Sequence, residues 1–189
     1  GATYGQGGTN NDYFEFWPGP LNDDGTLPNP NDCSAYDRIW VVSRKNIADY
    51  EAGGTPAKDL AEWPAALGAP VIDGDGNPDN YDLAAGDRPD IIGDQSLWYV
   101  LNDVGNLHRT TDSDPIGVEV QIQAFSFARD NALGQTTFYK YTIIYKGDEP
   151  LTDAYLSVWS DPDLGNAGDD YIGVDVETSM GFVYNAAEV

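Results

Sequence analysis

The densest run of potential ligands is Asp73-Gly74-Asp75-Gly76-Asn77-Pro78-Asp79-Asn80-Tyr81-Asp82. Side-chain oxygens recur at Asp73, Asp75, Asn77, Asp79 and Asp82, and the glycines between them permit a tight curl. Alternate residues in such a curl aim oxygens at one centre. Ca2+ takes about six to eight hard oxygen ligands, so the spacing points to calcium coordination. Carboxylates this close repel one another unless a cation sits among them. The plain alternative is an acidic surface turn without an ion. No bidentate Glu closes the loop, so the run is not an EF-hand. A second run is Asp161-Pro162-Asp163-Leu164-Gly165-Asn166-Ala167-Gly168-Asp169-Asp170. There Asp161, Asp163, Asn166, Asp169 and Asp170 either surround a second cation or bond the backbone N–H groups of turns.

Other chemistries have thinner support. A glycosidase needs two acids flanking one bond, and a chain this acidic always offers some pair. Glu119 is the most interesting single acid because it falls within a strand pattern, although an outward-facing strand residue is the favoured explanation. His108 is the only histidine. Any Ser-His-Asp or Cys-His scheme must run through it, with Asp103 nearby in sequence. A hydrolase would gather Asp103, His108 and Glu119 in one pocket, with or without a metal. No nucleophile elbow, Walker loop or dinucleotide fingerprint occurs. Trp17, Trp40, Trp63, Trp98, Trp159 and 12 tyrosines supply aromatic surface. Most of it is expected in the core, and an exposed row would offer a stacking platform for sugars.

These residues need elements to hold them. Residues 38–42 read as a strand. Ser43 is a fitting N-cap for a short helix through Tyr50, stopped by Gly53-Gly54. Thr55-Pro56 can open a second short helix reaching about Trp63, with Thr55 as cap. Residues 65–95 are a long loop punctuated by Gly, Pro and Asp. Apolar residues alternate with polar ones from Ser96 to Leu101, from Val118 to Ala124 and from Tyr139 to Tyr145. The same period marks Tyr155 to Trp159, Ile172 to Val176 and Gly181 to Tyr184. Phe125 and Phe127 break the phase, which predicts a bulge or a strand covered on both faces. No crossover helix separates these strands. The expected fold is therefore mainly β, an antiparallel β-sandwich with long Asp/Gly/Pro-rich loops and one or two short helices. Residues 1–37 form a loop-rich entry segment and 38–189 the sandwich domain.

Composition narrows the function. Nine Lys and Arg stand against 32 Asp and Glu in 189 residues, a formal charge of −23. Nucleic acid and anionic membrane surfaces are poor partners for such a chain. No apolar run approaches the ~18 residues of a membrane helix. The acids are 25 Asp and only 7 Glu. A merely solvated surface would use both, whereas Asp suits turns, caps and short-reach coordination. Cys33 is the only cysteine, so no internal disulfide forms. Gly1 opens without a leader pattern, and the chain is expected to be a mature or excised piece of a longer protein.

Several segments together carry a resemblance. They are Gly86-Asp87-Arg88-Pro89, Gly93 to Asp103, Pro115 to Gln121, Thr137-Phe138-Tyr139-Lys140-Tyr141 and Trp159 to Asp170. The chain resembles the large secreted proteins of Bacteroidota and Rhodothermota associated with type IX secretion. The Asp73 loop separately resembles the calcium loops of thrombospondin type 3 repeats, with Val71 where those carry an Asp. The first resemblance implies a secreted or cell-surface location and brings no catalytic residues. The expected function is an extracellular, calcium-stabilised structural, adhesion or surface-assembly module without catalysis. Its partners would be other copies, other surface proteins or glycans. A carbohydrate-binding accessory domain and a metal-assisted hydrolase are the alternatives.

Overall fold

The computed structural model describes residues 15–105, 107, 108, 113–157, 160 and 162–185. In chain order the elements are β1 (Trp17–Pro18), β2 (Trp40–Ser43), α1 (Arg44–Glu51), α2 (Lys58–Ala61), β3 (Val71–Ile72) and β4 (Arg88–Pro89). They continue with β5 (Gln95–Asn102), β6 (Val118–Ser126), β7 (Phe138–Tyr145), β8 (Asp170–Asp175) and β9 (Met180–Asn185). The chain falls into two compact units, residues 1–150 and 151–189.

In the first unit β5 is the central strand. One edge of it pairs with both β1 and β2, Trp17 opposite Asn102 and Trp40 opposite Trp98. Its other edge pairs with β6, and β6 pairs with β7, the last strand of the sheet among the described residues. Every pairing is antiparallel, as expected for strands with no crossover helix between them. The second unit contains one antiparallel ribbon, β8 with β9. Apolar side chains occupy both of its faces: Ile172 opposite Val183 on one, Tyr171 opposite Tyr184 on the other.

Alternation gives the main sheet two unlike faces. Ser96, Trp98 and Val100 share one face with Trp40 and Val42, and all are buried. Leu60, Trp63, Ala69 and Ile91 complete this core, with Trp40 and Trp98 in edge-to-face contact at 5.9 Å. The layer over this face is helix and loop. The mainly β, antiparallel class with short helices and long loops is therefore what the chain adopts. The opposite face carries Val41, Leu97, Tyr99, Leu101, Val118, Val120, Ile122, Ala124, Tyr139, Tyr141, Ile143 and Tyr145. No charged residue is among them.

The helices show what local chemistry fixes. Ser43 caps α1: its Oγ accepts from Asn46 N at 3.1 Å, while Asn46 Oδ1 accepts from Ser43 N at 2.9 Å. Helix α2 starts later than Thr55-Pro56 predicts, with Ala57 at the N-cap and no side-chain cap. Tertiary bonds position it instead. Asp59 accepts from Val41 N at 2.9 Å and from Arg38 at 2.5 Å, and Leu60 is buried beneath. Pairing through Phe125 is unbroken, so of the two expected readings β6 has no bulge and is the strand covered on both faces. Glu119 and Gln123 are buried on one face, Ile122 and Ala124 on the other. Phe125 stacks on Phe138 at 5.3 Å, because the polar face turns apolar at that end. One strand expectation needs correction: Tyr155, Leu156 and Ser157 form no strand, and Tyr155 is 92% exposed. The expected continuation through Trp159 lies outside the described residues.

Asp103, at the end of β5, is buried and closes the sheet's long connection. Its carboxylate accepts from Ile116 N at 2.8 Å, Gly117 N at 3.1 Å and Val118 N at 2.7 Å. Three donors on one ion satisfy both the charge and the turn entering β6. Asp103→Ala is expected to lower unfolding free energy by about 3 kcal/mol in urea titration. Removing the exposed Asp148 carboxylate should change it by less than about 0.5 kcal/mol.

Candidate metal centre

The loop between β3 and β4 is held by its own backbone and by one buried acid. Gly74 lies against Gly86, and a methyl group added at Gly74 would sit 2.3 Å from the Gly86 carbonyl. Only glycine permits this approach of the two arms. Asp87 follows directly and is 1% exposed. Its Oδ1 accepts from Gly74 N at 3.0 Å and its Oδ2 from Asp82 N at 2.6 Å, which ties both arms together. The loop is anchored to the core by Tyr81, whose hydroxyl donates to Leu60 O at 2.7 Å. Burial pushes the Tyr81 phenol well above its ordinary range. Arg88 bonds the Leu83 carbonyl at 3.0 Å and Glu51 at 3.0 Å, and lies over the Tyr50 ring.

Within this frame Asp73, Asp75 and Asp87 each bring a carboxylate oxygen to within 4.8 Å of the others. Oxygens around an ion at about 2.3–2.6 Å span such separations. The donors are all hard oxygens, which suits Ca2+ or Mg2+ over zinc or copper. Asp73 Oδ1 also accepts from Asp75 N and Gly76 N, at 3.1 and 2.6 Å. Asp75 Oδ1 accepts from Asn77 N at 2.8 Å, and its Oδ2 from Asn80 Nδ2 at 3.1 Å. Asp73 Oδ1 takes two N–H bonds and is filled, whereas Asp73 Oδ2 and the second lone pairs on the Asp75 and Asp87 oxygens leave capacity for a cation. Asn80 Oδ1, on the amide that touches Asp75, is buried with no partner. A cation beside Asp75 fits that orphaned acceptor.

The cluster differs in membership from the spacing-based set. Asp73 and Asp75 belong to it. Asn77 instead accepts from Asp79 N at 3.3 Å, and Asp82 accepts from Ala84 N at 2.8 Å. Asp79 is exposed and outside the group. Asp87 is the member that loop spacing missed, being 12 residues beyond Asp75. Its signal was the preceding glycine, which marks a close backbone approach within the same loop. In the second run, Asp161 lies outside the described residues. Asp163 is exposed, Asn166 accepts from Gly168 N at 3.1 Å, and Asp170 Oδ2 accepts from Leu164 N at 2.9 Å. Asp169 Oδ1, Asp170 Oδ1 and Asn185 Oδ1 are buried with no partner, and Asp170 pairs opposite Asn185.

The hydrolase constellation is differently occupied. Asp103 serves the turn described above. His108 Nε2 lies 3.0 Å from Asp103 O, and its Nδ1 is 3.7 Å from Glu15. Glu119 is 1% exposed and accepts from Leu21 N at 2.8 Å, Gln121 Nε2 at 2.8 Å and Lys146 Nζ at 2.9 Å. The cleft it lines contains Leu21, Gln121 and Lys146, without Asp103 or His108. Of the tryptophans, Trp40, Trp63 and Trp98 are buried and Trp17 is half-buried; Trp159 lies outside the described residues. Cys33 is a half-buried free thiol. No described helix is long and apolar enough to cross a membrane. Comparison with protein-family models, curated proteins and solved structures finds no match to this chain.

The Asn80 side chain and the Asn77 N–H hold the Asp75 carboxyl below its ordinary value of 3.8. A depressed carboxyl pKa favours the folded loop above the ordinary value, and that contribution disappears as pH falls through the lowered one. Carboxyl NMR titration without metal should therefore give Asp75 a midpoint below 3.8. Hydrogen-exchange protection of Asn77 N–H should be lost only as pH drops below about 4.

Proposed function

We propose that the chain is an extracellular structural module without catalysis, whose β3–β4 loop is completed by Ca2+. The observation that carries this reading is the approach of Asp73, Asp75 and Asp87 beside an orphaned Asn80 oxygen. Three acids at this range are stable together when a cation offsets their repulsion. An ion bound only by the folded state stabilises a loop-rich chain with no disulfide. The buried acids Asp103 and Glu119 are already committed to backbone and lysine donors, which supports the non-catalytic part. Secretion or surface display is part of the same proposal. It draws on the acidity and on the resemblance of the Asp-Pro-Asp-Leu-Gly-Asn run to secreted proteins. A second ion in the later acidic run is part of the same proposal, supported by the buried Oδ1 atoms of Asp169 and Asp170, which have no donor.

A carbohydrate-binding role has one observation in its favour, the exposed tyrosines of β7. Tyr139 and Tyr141 stack on each other at 6.2 Å with their planes 21° apart. Rings turned toward each other offer a sugar few open faces, so this reading is the weaker.

Thermal unfolding after EDTA treatment, followed by Ca2+ titration at fixed high ionic strength, tests the calcium proposal. A free Ca2+ level ~100-fold above Kd should raise Tm by roughly 5–10 °C. Mg2+ should do less, because it demands a tighter octahedron. Asp75→Ala should abolish the shift and lower the metal-free Tm slightly, through loss of its bonds from Asn77 N and Asn80 Nδ2. Asp87→Ala should lower the metal-free Tm as well, because Asp87 ties the loop's arms. No shift for the unaltered chain at millimolar Ca2+ would overturn the reading.

A further inference from the structure

The uncharged sheet face has chemistry that the calcium loop does not explain. Its outer strand β7 exposes Tyr139 by 55%, Tyr141 by 60%, Ile143 by 45% and Tyr145 by 36%. These four lie beside Ala124, Ile122, Val120 and Val118 in register. With aromatic side chains presenting roughly 150–250 Å² each, the whole face leaves on the order of 600 Å² of mostly apolar surface open. Monomeric proteins rarely leave a larger patch, and patches of this size are commonly functional. In a chain of net charge −23, the absence of any acid from this face is a further departure from its surroundings.

We propose that this face is a self-association surface, on which a second copy of the chain packs sheet to sheet. The area is the first argument. Two such faces bury about 1,200 Å² together, the lower bound of a specific interface. Charge is the second argument. Two chains of −23 repel wherever their acidic surfaces meet, and this face is where they can approach without juxtaposing carboxylates. Geometry is the third. Face-to-face sheets pack about 10 Å apart by interdigitating side chains, and the exposed, stacked Tyr139 and Tyr141 rings are side chains of that kind. The proposal names a partner for the assembly role above and rests on that role only for its purpose. The surface itself does not involve the calcium loop.

Sedimentation velocity of the full chain over a wide concentration range tests it, at high ionic strength to screen the net charge. The expected result is a monomer–dimer equilibrium, weakened roughly tenfold or more by Tyr141→Glu. Tyr139→Glu should act alike, and both positions are exposed enough for the variants to fold. Thr142→Glu places the same charge on the opposite face of β7 and should leave dimerisation unchanged. The dimer should form in EDTA as in Ca2+, so a failed calcium reading and a failed dimer are told apart. A chain monomeric at every concentration, or a dimer indifferent to Tyr141→Glu, would overturn the proposal. So would a monomer retained by cellulose or chitin through Tyr141, which would make a polysaccharide the occupant.

Discussion

A buried carboxylate must find donors, and a backbone N–H in a loop must find an acceptor. In this chain the two requirements meet each other. Asp87, Asp103 and Glu119 are each almost fully buried, and each accepts from backbone N–H groups that no strand or helix serves. Asp87 joins the two arms of the β3–β4 loop. Asp103 sets the entry to β6. Glu119, with Lys146, holds the entry segment at Leu21 against the sheet. An unpaired carboxylate in such sites would be destabilising by several kcal/mol, so the loops and the acids are interdependent. Long loops otherwise contribute little order; here the acids give them fixed geometry.

The same principle explains the preference for Asp over Glu. Outside the core, Asp24, Asp32, Asp73, Asp75, Asp82 and Asp175 each accept the N–H two residues further on. Glu carries one methylene too many for that bond. Much of the acidity is thus turn chemistry. It leaves room for a cation at Asp73 through Oδ2, since Oδ1 takes two N–H bonds, and at Asp75 through the second lone pair of each oxygen. Turn bonding pre-aims those carboxylates, and the close pass of Gly74 and Gly86 brings Asp87 to them. Pre-aimed ligands lower the ordering cost of binding.

Periodicity made the sheet legible. Val118 to Ala124 and Tyr139 to Tyr145 appear in register where their alternation placed them, and Ser43 caps the helix it announced. Other features depend on tertiary context. Helix α2 is set by Asp59 bonding Arg38 and Val41, which no local pattern encodes. The stretch at Tyr155 alternates like a strand but pairs with nothing among the described residues. Asp73 and Asp75 were visible as members of the acidic cluster by spacing. Asp87 was not, because its place in the cluster comes from loop closure. Likewise, the commitment of Asp103 and Glu119 to backbone donors appears only once the chain is folded.

The central claim is that the acids ordering the β3–β4 loop also form a calcium site. A crystal structure grown in Ca2+, with anomalous scattering recorded, tests it most directly. The account predicts one anomalous peak about 2.3–2.6 Å from oxygens of Asp73, Asp75 and Asp87. It also predicts that the Asp87 bonds to Gly74 N and Asp82 N persist around the ion. The same loop with those bonds intact and no peak at saturating Ca2+ would contradict it, leaving the acids as turn chemistry alone.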